Sequence, residues 1–184
     1  MTALRPPGDE ERIRLLYKVI AGVSAVTIAV VCLYALTTYL RFGSEAVGDV
    51  LVKFEFPPPD LFPLFYAKPV TWLSVSVVAF WFSLLQLLRP RAAKISPFRR
   101  TVLQFIAFLI VSVAIYEVLF NFSLWSALMA SNDLRGRLNP DVLINPYPNP
   151  EIPWNLVFAT KIYTATLVMS LYSFYYLHRL QIDR

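Results

Sequence analysis

Residues Thr101–Leu128 read TVLQFIAFLIVSVAIYEVLFNFSLWSAL. As a helix this run extends about 42 Å at 1.5 Å per residue, more than the roughly 30 Å of hydrocarbon in a bilayer. One acid, Glu117, stands inside it, and Asn121 follows one helical turn later. A stretch this long and apolar reads as a membrane span. A carboxyl within it needs a partner or a proton, because a charge in hydrocarbon costs about 2.5–3.5 kcal/mol on insertion scales.

Working outward, three more runs have spanning length. Val19–Leu40 carries no charge, Pro69–Leu88 opens with a proline suited to a first helical position, and Trp154–Leu177 is interrupted only by Lys161. The expected fold is an all-α integral membrane protein, one domain over residues 1–184. Its four transmembrane helices fall at about 19–40, 69–88, 101–128 and 154–177. Pro6-Pro7-Gly8 blocks a helix, whereas Asp9, Glu10 and Glu11 suit an N-terminal cap and acidic first turn. The first helix is therefore expected to start near Asp9 and run into its span. That span is too long for a signal-peptide core and reads as retained.

Composition agrees with lipid as the solvent. Of 184 residues, 57% are hydrophobic and only 16% charged, against roughly 45–50% and 25% in soluble domains. The net charge of +5 gains its meaning from distribution, and no nucleic-acid partner is implied. With both termini and the connection 89–100 on one side, that side holds eleven basic residues and the other five. The positive-inside rule then places both termini in the cytoplasm of a cell membrane, with the proline-rich loops 41–68 and 129–153 outside. The cytoplasmic connection RPRAAKISPFRR carries Arg89, Arg91, Lys94, Arg99 and Arg100 and no acid. These five read as a topology determinant, with contact to anionic lipid as the functional alternative.

Chemistry is bounded by what is scarce. One cysteine, Cys32, excludes an intrachain disulfide, and one histidine, His178, excludes a bis-histidine haem or a histidine-rich metal cage from this chain alone. No serine–histidine set, HExxH or glycine-rich phosphate loop is present. No catalytic, cofactor-binding or metal-ligating residue is therefore expected. The loop carboxylates Glu45, Asp49, Glu55, Asp60, Asp133, Asp141 and Glu151 read as a solvated face.

Residue patterns also suggest which faces pack. Gly22, Ala25, Ala29 and Cys32 form a small-residue stripe on which another helix is expected to pack closely. Ser76, Ala79, Ser83 and Gln86 share a face expected to point into protein. VLVKFEF (residues 50–56) alternates over its second half as a short strand would. PDLFPLFYAK (residues 59–68) resembles PEIPWNLVFATK (residues 150–161), each at the entrance to the second helix of a hairpin, which fits either two copies of one helix–loop–helix unit or a chance match of shared interfacial composition.

Glu117 lies 16 residues after Thr101, roughly 24 Å along its helix, and Lys161 lies roughly 12 Å beyond Pro153. Glu117, Asn121 and Lys161 thus fall at similar depth, and a Glu117–Lys161 pair bridged by Asn121 is expected. A register-fixing ion pair is the structural reading. A subunit contact or a proton- or cation-handling site are the functional ones. The leading expectation for the whole chain is a non-catalytic accessory or structural subunit of a larger membrane complex. Its partners would be the lipid bilayer and membrane proteins or further copies of itself. A small oligomeric transporter or channel component using Glu117 and Lys161 is the alternative, and a membrane-embedded lipid-active enzyme the third.

Overall fold

The computed structural model describes residues 8–42, 50–52, 67–134 and 154–182, and those residues are almost entirely helical. Four long helices and one short one follow in order: α1 (Asp9–Phe42), α2 (Pro69–Leu87), α3 (Arg89–Ala92), α4 (Pro97–Leu134) and α5 (Trp154–Ile182). The four long helices are each long and apolar enough to cross a membrane. Most of both proline-rich stretches, including the side chains of the loop carboxylates, lies outside the described residues.

Helix boundaries follow local chemistry. Gly8, at φ 119°, leads into α1 in a backbone conformation that favours glycine, and Asp9, Glu10 and Glu11 occupy the first turn. Lys68 is extended, at φ −60° and ψ 139°, as a residue before proline must be, and Pro69 opens α2. α2 stops at Leu88 because Pro90 has no N–H for the Gln86 carbonyl. Instead, the amides of Arg91 and Ala92 both donate to the Leu88 carbonyl at 2.9 Å, which starts α3. The basic connection is thus helix and turn rather than open loop, with Arg99 and Arg100 already inside α4.

The long helices pack α1 on α2, α2 on α5, and α5 on α4. α2 and α5 form the centre and run parallel: Thr71 meets Lys161 near one end, and Leu85 meets Tyr176 near the other. α1 and α4 flank this pair, each antiparallel to its own hairpin partner. Two sequential hairpins therefore meet through their second helices, while residues 59–66 and 150–153 of the two proline-acid segments lie outside the described residues. Hydroxyls along the spans close on their own helices. Thr27, Ser74, Ser112, Ser123, Ser126, Thr160 and Thr164 each donate to the carbonyl four residues earlier. Each of these bonds satisfies its hydroxyl proton against hydrocarbon, whereas the buried Ser83 Oγ has no partner among the described residues.

The packed face of α1 differs from the expected one. Gly22, Ala25, Ala29 and Cys32 are exposed, and a Cβ built on Gly22 would meet nothing within 4 Å. Ser24, Val31, Ala35 and Thr38 are buried instead, at the heptad-like spacing of a helix seam. Val31 gives that face more apolar contact than glycine and alanine can offer. Residues 50–52 are helical, and the alternating half of the strand expected over 50–56 lies outside the described residues. Val50, Leu51 and Val52 are buried with Val31, Ala35 and Val70, so this segment covers one end of the α1–α2 seam. The α4 seam is also heptad-spaced, through Arg100, Ala107, Val111, Ala114 and Asn121.

Candidate functional site

The face of α2 expected to turn inward does so. Ser76 and Ser83 are buried, Ala79 and Gln86 partly so, and Gln86 Nε2 donates to the Tyr172 hydroxyl of α5. Further along the same helix pair, Trp81 Nε1 donates to Ser173 Oγ at 2.8 Å, and the Tyr176 hydroxyl donates to the Leu85 carbonyl at 2.8 Å. The Leu85 carbonyl belongs to the last turn of α2, so Tyr176 caps that helix from its neighbour. Tyr17 of α1 stacks edge-on against Phe82, and Phe82 packs on Tyr172 at 4.7 Å between ring centroids. Hydrogen bonds and rings together join three helices at the end where α1 begins.

At the opposite end, Lys161 is partly buried, and its Nζ donates to Thr71 Oγ1 at 2.6 Å. The sequence had suggested Glu117 as the partner. Lys161, Ala165, Tyr172 and Tyr176 lie on the α5 face that meets α2, whereas α4 packs on another face, where Phe174 meets Phe108. The structure therefore separates Lys161 from Glu117 by direction around α5, although their depths agree. The contacts Arg100–Leu180 and Phe108–Phe174 set an antiparallel register in which Asn121 comes level with Thr160 and Lys161, and Glu117 with Thr164.

Asn121 is 6% exposed within the α4–α5 seam, and its Nδ2 finds no acceptor among the described residues. Glu117 is partly buried at the edge of that seam. Its neighbours on the outer flank, Val113 and Phe120 one turn away and Leu124 two turns away, are all exposed. The carboxyl thus stands between a packed seam and an apolar helix face that nothing among the described residues covers.

The five basic residues between α2 and α4 divide. Arg89, Arg91, Lys94 and Arg99 are exposed. Arg100 is 3% exposed and donates through Nη1 to the Leu180 carbonyl at 2.9 Å and through Nη2 to the Ile95 carbonyl at 3.4 Å. It ties the connection to the end of α5, a role that no pattern within the basic run distinguishes from its neighbours. Among the described residues no group of three or more histidine, cysteine, aspartate or glutamate side chains could hold a metal ion. Comparisons with protein-family models, with curated proteins and with solved structures find no match. Function therefore has to be argued from residues and their placement.

Proposed function

We propose that this chain is a non-catalytic accessory or structural subunit of a larger complex in a cell membrane, with both termini cytoplasmic. The observation that carries the reading is the outer flank of α4. Glu117 is the one acid within the four apolar spans, and it lies beside exposed Val113, Phe120 and Leu124. A carboxyl at the edge of a lipid-facing strip is unfavourable. A partner helix with a hydrogen-bond donor at that depth would cover the strip and satisfy the acid. Layout supports the same reading, since among the described residues α4 packs chiefly along α5.

A photo-crosslinker placed at Phe120 in native membranes tests this. The reading requires one dominant adduct, to a membrane protein or a second copy, that weakens in Glu117→Leu and is absent with the crosslinker at Leu103. Adducts to lipid alone at both positions would overturn it. The buried, unpaired Nδ2 of Asn121 favours a second reading, a small oligomeric transporter component with Glu117 as a proton- or cation-handling group. Proton or cation flux in liposomes that is unchanged in Glu117→Gln and Asn121→Leu would remove that alternative.

A further inference from the structure

The end of the bundle where α1 begins and α5 finishes concentrates positive charge around a buried guanidinium. Arg100 is 3% exposed, and both of its terminal nitrogens donate to carbonyls, not to a carboxylate, while Nε has no acceptor among the described residues. Among the described residues no carboxylate reaches this cation, and carbonyl dipoles replace only part of its lost hydration. The same side chain fixes the surrounding backbone, since it holds Ile95 of the turn and Leu180 of α5 together.

On that pinned platform Arg91, Lys94 and Arg99 are exposed, and Arg179 is exposed beside them on α5, donating to the Tyr175 hydroxyl at 3.2 Å. α4 begins Pro-Phe-Arg-Arg with no acid in its first turn, where the helix dipole favours negative charge and disfavours these cations. Phe98, 78% exposed, projects from the same turn between the basic residues. An aromatic ring flanked by cations at the end of membrane-spanning helices matches an interface with phosphate above and acyl chain below. A disordered basic loop would present charge diffusely. Here short helix, turn and helix start hold it in one arrangement.

We propose that the connection between α2 and α4 is a binding surface for anionic glycerophospholipid, with Arg91, Lys94 and Arg99 contacting the headgroup phosphate and Phe98 seated among the acyl chains. The negative headgroup supplies an anion to the exposed cations and to the acid-free start of α4. The accessory-subunit reading above is independent of this surface, which concerns the lipid and not the partner protein.

Spin-labelled phosphatidylglycerol and phosphatidylcholine, compared for the fraction immobilised by the full chain in nanodiscs, provide the test. The expected preference for phosphatidylglycerol is roughly fivefold, the order produced by one basic residue near a charged surface. It should fall to about onefold in Arg91→Gln/Lys94→Gln/Arg99→Gln and drop partly in Phe98→Ser. It should survive in Arg12→Gln/Arg14→Gln/Lys18→Gln, which neutralises exposed cations of α1 at the same end. All these positions are exposed, and unchanged helicity by circular dichroism would show that the fold is kept. An equal loss in the α1 variant would mean diffuse charge and overturn the proposal. So would displacement of the lipid by inorganic phosphate, which would mark a site for soluble anions, or an unchanged preference in the connection variant.

Discussion

Replacing Thr71 with valine asks which group satisfies the Lys161 ammonium. The structure gives one contact, Nζ to Thr71 Oγ1 at 2.6 Å, between two partly buried side chains. Interhelical hydrogen bonds in membranes average about 0.6 kcal/mol and reach about 1.7. A charged donor belongs near the top of that range, so Thr71→Val should destabilise the protein by about 1.5 kcal/mol. Lys161→Met loses the same bond but also removes a cation worth up to about 2.5–3.5 kcal/mol in hydrocarbon, less near a helix end. Its net effect should lie within about 1 kcal/mol of zero, because the two changes oppose. Once Lys161 is methionine, Thr71→Val has little left to remove, so the double-mutant cycle should give a coupling of about 1–1.5 kcal/mol. The matching cycle of Glu117→Gln with Lys161→Met should be additive within about 0.5 kcal/mol, since those residues lie toward different faces of α5. Reversible unfolding in mixed micelles, followed by circular dichroism against detergent mole fraction, measures all of these. A Glu117–Lys161 coupling larger than the Thr71–Lys161 coupling would refute the assignment and restore the ion pair.

Arg100→Gln should destabilise by about 1–3 kcal/mol, the range for a buried hydrogen bond from a charged group. Faster amide exchange in the last turns of α5 would locate the loss at the Leu180 carbonyl. Ala114 is 1% exposed in the α4–α5 seam, and Ala114→Phe should cost about 1–3 kcal/mol by overpacking. Val113→Phe, at a position 58% exposed, should lie within about 0.5 kcal/mol of wild type in the same assay. Asn121→Leu should be neutral or stabilising by up to about 1 kcal/mol, since it removes a buried donor that lacks an acceptor. A loss above that size would mean that Asn121 has a partner in the folded protein.

The number of the long helices and the starts of α1 and α2 were legible because they depend on one residue's neighbours in sequence. α4, by contrast, runs Pro97–Leu134, past both ends of the span expected at 101–128. Asp9 and its acidic neighbours marked the start of α1, Pro69 marked the start of α2, and the run from Thr101 was too apolar for anything but a span. The inward face of α2 was legible for a related reason, as Ser76, Ser83 and Gln86 recur on one side of a helix. The packed face of α1 was not, because Gly22, Ala25, Ala29 and Cys32 mark only where close approach is sterically permitted. Which face is occupied depends on what the neighbouring helix offers, and α2 together with Val50–Val52 meets Val31 and Ala35.

The partner of Lys161 was hidden for a stronger reason. Depth along a helix follows from counting residues, and the counting put Glu117 and Lys161 at comparable levels, in keeping with the α4–α5 register. Direction around the helix follows from the bundle's plan, and sequence neighbours supply only part of it. α4 precedes α5 and packs on it, so an ion pair between them is the natural first reading. α5 also packs on α2, which lies far earlier in the chain and runs parallel to it. The signal for that second seam was present in α5 as Lys161, Ala165, Tyr172 and Tyr176 on one face, a polar stripe that matches the serines and Gln86 of α2. Two helices with complementary polar stripes in an otherwise apolar chain have a strong reason to meet, because each alone would expose hydrogen-bonding groups to hydrocarbon. Assigning Lys161 to that stripe leaves Glu117 as a span residue whose polarity no described residue balances. The α4 flank is therefore the place where a partner's side chain should be sought.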